Sequence, residues 1–300
     1  MELFIWSLLL FQFRKSDKYI NIFGKHIVFD LMREIKNDLV VKVLTAHIKA
    51  NSKLYKCFNH SHNRQIYKLS EYLTEILYVL KTGISWRNIR SHIYWNSIYK
   101  AYIKLNKYKI FESCYKKILL TKYLKKGANK KLRFIITDTT FIPNKNGNNK
   151  VGYNKYYNKK NGTKISIICD SKGIPIDTAF YKGNINDSKI LLDHLNNSII
   201  NKLSIRCHFM ADKGYHTKEI INTLNERGFI PLIAQNKRNI KNENLINKMN
   251  DDDKEIYKNR SIIERLNAKI KNNKKLQLRY EKDICNYEGL YYLFCIKNLC

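Results

Sequence analysis

Three acidic residues lie next to segments that would hold a carboxylate in a fixed position. Asp138 follows the apolar run Phe134–Thr137, and Asp212 follows Cys207–Ala211, so both are predicted at strand ends. Glu264 lies in a stretch with helical periodicity. Carboxylate oxygens are the ligands that Mg²⁺ prefers, and two such ions about 4 Å apart can activate an attacking oxygen and stabilise a leaving one. The three acids together predict a site for two-metal phosphoryl transfer.

Each acid taken alone has an ordinary explanation. An aspartate at the end of a strand is often a cap or a turn former. A charged residue on a helix often belongs to a solvated face with ion pairs. The functional interpretation therefore depends on the three acids occurring together, in elements that would bring them to one place.

The residues around Glu264 have helical spacing. Tyr257, Arg260, Glu264 and Lys271 are separated by three, four and seven residues, which places all four on one face of a helix. Neighbouring apolar residues form a stripe that would pack against a sheet: Ile263, Leu266 and Ile270. The stripe would hold Glu264 at the edge of the core.

The elements that would position these residues alternate between strands and helices from residue 133 onwards. The pattern predicts strands at Arg133–Thr137, Lys164–Cys169, Ile174–Tyr181, Ile205–Ala211 and Phe229–Ile233. It predicts helices at Ser188–Leu195, Thr217–Arg227 and about Asp253–Lys274. This order fits a ribonuclease-H-like α/β domain, with a five-stranded mixed sheet and flanking helices. In such a layout the acids gather at the ends of the first and fourth strands and on the late helix.

The preceding part of the chain is predicted to be helical. Ser70 is a candidate N-cap for a helix that ends at Gly83, Ser85 can cap a short helix, and two more helices lie between Ile98 and Leu119. The predicted organisation is an extension of unknown role at 1–32, a helical DNA-binding module at 33–124, a basic linker at 125–131 and the α/β catalytic domain at 132–300. Met32 is a possible alternative start.

The composition points to a polyanionic partner. Lys and Arg number 56 against 25 Asp and Glu, a net charge of +31 over 300 residues, which favours nucleic acid before membrane. An AT-rich coding genome would contribute to the Lys and Asn content, but it does not explain the shortage of acids. A hydrophobic content of 44% excludes a short disordered binder.

Other classes of site find little support. The seven cysteines contain no CxxC pair, and Cys57, His60 and His62 lack a second pair at zinc-finger spacing. The sequence contains no nucleophile elbow, Gly-rich phosphate loop or dinucleotide fingerprint. The apolar run Leu3–Phe13 is too short to span a bilayer and has no basic leader, so we expect no signal peptide and no transmembrane segment.

The chain resembles the bacterial insertion-sequence transposases that carry a DDE triad and a Tyr-Arg-Glu-Lys signature. Tyr257, Arg260, Glu264 and Lys271 reproduce the signature without a gap, and Asp138 and Asp212 match the first two acids. The spacings are similar to those of compact members without a large insertion before the glutamate. Further similarity lies at Lys164 with Asp170–Pro175, Gly183–Ser188, Leu278–Lys282, Ile76–Gly83 and Trp86–Arg87. At the position of Asn186, directly before Asp187, many relatives have His.

This resemblance implies a DNA transposase that binds inverted terminal repeats, cleaves DNA and joins the 3′ ends to target DNA. Asp138, Asp212 and Glu264 would be catalytic and would hold two Mg²⁺ ions, with Mn²⁺ as a substitute. The residues expected to bind DNA are Tyr257, Arg260, Lys271, Lys164, Lys213 and Asn184. Additional lysines are expected on a phosphate-binding surface: Lys155, Lys159, Lys160, Lys269, Lys274 and Lys275.

The expected partner is double-stranded DNA, bound by a homodimer inside the cell, without a membrane or a nucleotide cofactor. A second possibility is a catalytically silent or domesticated transposase that acts as a DNA-binding protein.

Overall fold

The structure is a computed structural model. It describes residues 25–51, 55, 58, 67–123, 132–157, 159–198, 200, 206–235 and 250–299. Residue contacts divide the chain into two compact units, one that runs to Thr74 and one that covers Glu75–Leu299. The predicted linker at 125–131, most of the predicted extension at 1–32 and the Cys57, His60 and His62 cluster lie outside the described residues.

From Leu69 onwards the helical elements before the sheet have the predicted order, whereas the helix that precedes them was not predicted. The helices are α1 (Lys25–Lys49), α2 (Leu69–Thr82), α3 (Trp95–Lys107) and α4 (Ile110–Tyr123), with a 3-10 turn at Trp86–Asn88. Gly83 ends α2 with a φ of +73°, a conformation that favours glycine.

The predicted caps of two of these elements are wrong. Helix α2 already includes Ser70, and its first turn is closed because the Glu71 carboxylate accepts the Lys68 N–H at 2.5 Å. Ser85 precedes the 3-10 turn, but its side chain makes no capping hydrogen bond.

Among the described residues the sheet is mixed and contains six strands. They are β1 (Phe134–Pro143), β2 (Gly152–Asn154), β3 (Lys160–Asp170), β4 (Pro175–Lys182), β5 (His208–Ala211) and β6 (Ile230–Ile233). Strand β3 pairs antiparallel with β1, with β4 and, at its start, with β2. Strand β1 pairs parallel with β5, and β5 pairs parallel with β6. The prediction of five strands is wrong because β2 has only three residues, too few for a recognisable pattern.

Strand β1 is longer than predicted. Its Thr-Thr-Phe-Ile sequence after Asp138 has strand-favouring residues, and Phe141 and Ile142 are buried. Asp138 therefore lies inside the strand, opposite Ile167 of β3. The parallel pairing between β1 and β5 nevertheless ends at Ile136 and Met210. Asp138 thus lies just past the end of that pairing, on the same side as Asp212.

Helices flank the sheet at the predicted places. Helix α5 (Asp187–Asn197) is capped by Asn186, and α6 (Lys218–Glu226) is capped by Thr217. The predicted single helix near Glu264 is wrong in one respect. It consists of α7 (Asp251–Tyr257), a 3-10 turn at Lys258–Arg260 and α8 (Ser261–Asn272). The Asn259 side chain donates to the Ile256 carbonyl at the tighter turn, a local bond that competes with the helical backbone bonds.

The last helix, α9 (Ile284–Leu299), was not expected. It packs against α3 and α4, and its Tyr291 ring meets Phe180 of β4 edge to face at 5.5 Å. Most of its residues are buried, so it has no amphipathic pattern. Within the described residues, no helix has the length and apolar content needed to cross a membrane.

Candidate active site

Asp138 is the most enclosed of the three predicted acids. Burial raises the pKa of its carboxyl to about 6, and the charges of Asp187 and Asp212 act in the same direction. The Thr139 N–H and the Arg260 guanidinium oppose this shift. The Asn267 side chain of α8 donates to Asp138 Oδ2 at 2.8 Å. The carboxylate is thus held by a helix and lies in the field of two other acids.

Asp212 directly follows β5 and precedes a 3-10 turn at Lys213–Tyr215. Its side chain is 47% exposed. The turn is tied to β1 because the Tyr215 hydroxyl donates to Thr139 Oγ1 at 2.9 Å. This bond fixes the end of β5 beside the strand that carries Asp138.

Glu264 lies in the first turn of α8 and is 53% exposed. Arg260 Nη2 is 2.7 Å from Glu264 Oε1, and Arg260 Nη1 is 3.7 Å from Asp212 Oδ1. One guanidinium therefore bridges two of the acids. The predicted apolar stripe behind Glu264 is confirmed, since Ile263 and Ile270 are fully buried and Leu266 is nearly so.

The remaining signature residues lie around the same region. The Tyr257 hydroxyl donates to the Ala211 carbonyl at 3.1 Å, which anchors the end of α7 next to Asp212. Burial raises the pKa of this phenol. Lys271 is exposed, and its Nζ lies 6.0 Å from the centre of the Tyr157 ring.

Three further predicted residues differ in accessibility. Lys164 is buried in β3, where its Nζ donates to the Ile185 carbonyl and to Asp187 Oδ1, both at 2.8 Å. Lys213 is exposed in the turn directly after Asp212. Asn184 is exposed, and its side chain lies so close to Gly152 that a Cβ there would be 2.2 Å from Asn184 Oδ1.

Sequence reasoning missed two residues of the site. Asp187 appeared only within a motif, as the acid at the start of a helix, yet its charge reaches Asp138. Asn267 is 7% exposed and lies between the buried residues of α8. A lone amide within an apolar stripe was the available signal. The Asn267 Oδ1 is buried and has no hydrogen-bond partner in the described part of the chain.

The donor set fits a divalent cation by charge and by ligand type. Asp138, Asp212 and Glu264 offer hard carboxylate oxygens, and the mutual repulsion that contributes to the raised pKa of Asp138 would be relieved by a cation. A cationic group, the Arg260 guanidinium, already pairs with two of them. Among the described residues, no three acidic, His or Cys side chains converge closely enough to form a ready-made metal site.

A statistical profile of the transposase DDE domain family matches residues 129–299, more than half of the chain. No curated protein sequence is a significant match. A structure described as a piggyBac transposase synaptic complex with hairpin DNA is similar, with a TM-score of 0.51 and 10% identity over 87% of this chain and 73% of that one. This likeness concerns the fold. Together with the mixed sheet and flanking helices, it confirms the ribonuclease-H-like prediction.

Two structures of Mos1 mariner transposase are more distant. The catalytic domain has a TM-score of 0.27 and 16% identity over 61% of this chain and 87% of that one. The paired end complex with Mn has a TM-score of 0.24 and 14% identity over 96% and 93% of the two chains. TM-scores this low add no structural argument to the family match.

Proposed function

The chain belongs to the transposase DDE domain family, and from this we propose that it cleaves DNA at inverted terminal repeats and joins the 3′ ends to target DNA. The observation that carries the proposal is the grouping of three acids from separate elements. Arg260 bridges Asp212 and Glu264, and Asn267 of α8, the helix that carries Glu264, binds Asp138. Acids at these positions suit phosphoryl transfer between DNA strands.

Asp138, Asp212 and Glu264 would hold two Mg²⁺ ions, and Mn²⁺ would substitute. When bound, these ions would supply an activated attacking oxygen and stabilisation of the leaving oxygen. The half-exposed side chains of Asp212 and Glu264 are open to solvent and can turn without unpacking the core. Asp138 is held by Asn267 and fixes the geometry of the site.

Arg260 would bind the phosphate at the cut. Its guanidinium is 28% exposed and now pairs with two carboxylates. Once it is released from them, its planar donors suit bidentate binding of phosphate oxygens. Lys271 and Lys213 are exposed nearby and would add point charges. Tyr257 would hold the end of α7 against β5 and would contact DNA from there.

Asn184 and Lys164 would contact DNA from the other side of the acids. Asn184 is exposed beside β2. Lys164 is enclosed, so a phosphate would reach it only if its ion pair with Asp187 opened. The helical residues 33–124, joined through 125–131 to the catalytic residues 132–300, would bind the terminal repeats. Two copies of the chain would pair two DNA ends. The active protein would then be found with the cellular DNA.

The test is cleavage of a labelled DNA fragment that contains the flanks of the gene, with Mg²⁺, with Mn²⁺ and with a chelator. Asp138→Asn, Asp212→Asn and Glu264→Gln are each expected to abolish cleavage, because each removes a metal ligand at nearly constant volume. Binding of the same fragment is expected to persist. Tight binding by the wild type without a nick in either metal would overturn the proposal in favour of a DNA-binding protein without catalytic activity.

A further inference from the structure

Strand β2 and the turn that follows it expose three tyrosines. Tyr153, Tyr156 and Tyr157 are 53%, 83% and 42% exposed, respectively. Lys155 lies between the first two tyrosines, Lys159 and Lys160 follow the third, and all three lysines are exposed. The Lys155 ammonium lies 5.0 Å from the centre of the Tyr156 ring. The rings of Tyr153 and Tyr156 are more than half exposed, although a tyrosine ring usually contributes much of its area to packing in a folded protein.

The turn is held firmly, so the exposure does not result from a loose loop. Asn154 is buried, and its Nδ2 donates to the Gly183 carbonyl at 2.9 Å. Its Oδ1 accepts the Tyr156 N–H at 3.0 Å, and its backbone carbonyl accepts the Tyr157 N–H at 3.3 Å. One buried side chain therefore fixes the backbone that presents the tyrosines.

The turn is also anchored to the strand that carries Asp138. The Tyr157 ring stacks on Phe141 of β1, with centroids 4.7 Å apart and planes 15° apart. Phe141 is itself enclosed, since a Cβ on Gly162 would lie 2.3 Å from its ring. On the other side, the Nζ of Lys271 in α8 lies 6.0 Å from the centre of the same tyrosine ring.

The turn therefore lies beside the acids. Phe141, on which the Tyr157 ring stacks, is three residues after Asp138 in β1. Burial raises the pKa of Tyr157, and the charges of Asp187 and Asp138 act in the same direction.

Building on the proposed function, we propose that the segment Tyr153–Tyr157 is a stacking surface for unpaired nucleobases of the DNA strand whose phosphate lies at the acids. Exposed aromatic rings next to exposed lysines suit a single strand, because the rings stack on bases while the ammonium groups bind phosphates. A duplex presents phosphates and needs only the lysines, since its bases are stacked on each other. The tyrosines therefore favour unpaired nucleotides over intact duplex.

The experiment compares two labelled probes by fluorescence anisotropy. One is an oligothymidylate of about 20 nucleotides, longer than the ~4–16-nucleotide sites common in single-strand binding. The other has equal length and charge but abasic positions through its centre. The full-length wild type is expected to bind the first probe roughly tenfold more tightly, given the usual strength of base stacking on aromatic side chains.

The double variant Tyr153→Ala, Tyr156→Ala is expected to lose that preference and to keep its affinity for the abasic probe. Phenylalanine at both positions is expected to restore the preference for the thymidylate probe. Tyr280→Ala is the matched control, because Tyr280 is 48% exposed but its charged neighbours Arg279 and Glu281 are buried. Equal binding of both probes by the wild type, or equal loss for both probes in the double variant, would overturn the proposal.

A sedimentation measurement covers the remaining alternative, in which the tyrosines contact a second copy of the chain. Loss of self-association in the double variant, with unchanged preference for the thymidylate probe, would also overturn the proposal. Cleavage of the flanking-DNA fragment and its loss in Asp138→Asn are measured separately. Failure of the stacking surface therefore leaves the transposase assignment intact, and failure of cleavage leaves the probe comparison interpretable.

Discussion

Two clusters of charged residues in the unit Glu75–Leu299 use the same chemical groups in different ways. Around Glu264, the Arg260 guanidinium pairs with carboxylates that remain about half exposed. Around Arg279, the guanidinium is fully buried and donates to backbone and side-chain oxygens on several segments. The carboxylates and the guanidinium around Glu264 can exchange their ion pairs for contacts with a metal ion or a phosphate. The buried Arg279 guanidinium instead holds several segments of the chain together.

The buried cluster continues to the helical part of the chain. Lys275 and Glu281 are each 5% exposed and lie 3.7 Å apart. The Trp86 indole donates to Glu281 Oε1 at 3.0 Å, and Trp86 stacks on Tyr102 of α3 with centroids 4.7 Å apart. The expectation that Lys275 belongs to a phosphate-binding surface is therefore wrong. Lys275 is held by this buried cluster and differs in this from the exposed lysines of the surface.

The largest expected effect is on catalysis at the exposed cluster. Glu264→Gln is expected to reduce cleavage of the flanking-DNA fragment by roughly 1,000-fold or more, because a metal ligand is lost at constant volume. DNA affinity and the urea midpoint are expected to stay nearly unchanged. The matched control is Glu255→Gln, since Glu255 is also exposed and pairs with a basic neighbour, Lys258. Equal cleavage by the two variants would remove Glu264 from the site.

The next effect is on stability at the buried cluster. Arg279→Met is expected to lower the free energy of unfolding by about 3–5 kcal/mol, because several buried oxygens lose their donor. Arg260→Met is expected to lower it by less than about 1 kcal/mol, because its ion pairs are solvated. Urea unfolding followed by tryptophan fluorescence measures both. Similar losses for the two variants would contradict the distinction between the clusters.

A smaller loss is expected at Glu281. Glu281→Gln can keep the Trp86 bond but leaves the Lys275 ammonium buried without a counter-charge, which is expected to cost about 2–3 kcal/mol. The double variant Lys275→Met, Glu281→Gln is expected to regain most of that stability, because it removes both charges and keeps an acceptor for the Trp86 indole. If the double variant were less stable than Glu281→Gln, the Lys275 charge would not be the cause of the loss.

The smallest effect concerns single phosphate contacts. Lys213→Gln is expected to weaken DNA binding a few-fold and to reduce the salt slope of log K by about 1. Lys254→Gln is the control, since Lys254 is also exposed but pairs with Asp251. Titrations at several salt concentrations measure the slope, and the same slope for Lys213→Gln and the wild type would exclude a phosphate contact at Lys213.

The sequence was sufficient for the parts of the fold that have local signals. Asp138 and Asp212 follow short apolar runs, and the spacing from Tyr257 to Lys271 predicts one helical face, so the main strands and the family could be predicted. The continuation of β1 past Asp138 depends on pairing with β3, which is a long-range property. Most residues of helix α9 are buried, and the helix therefore lacks periodicity.

The site residues missed by sequence reasoning were missed for a similar reason. Asn267 and Asp187 gain their importance from the position of Asp138, far away in the sequence. Lys275 was misjudged because a lysine in a basic stretch is usually solvated, and only the tertiary contacts with Glu281 and Trp86 show otherwise.

The most direct test of the central claim is a Mn²⁺ titration of the protein–DNA complex followed by electron paramagnetic resonance. The wild type is expected to bind two ions per active site, and Asp138→Asn is expected to lose at least one of them while it still binds DNA. Asp177→Asn, which changes an acid outside the site, is the control for nonspecific binding. Equal Mn²⁺ binding by wild type and Asp138→Asn would contradict the assignment of Asp138, Asp212 and Glu264 as the metal-binding acids.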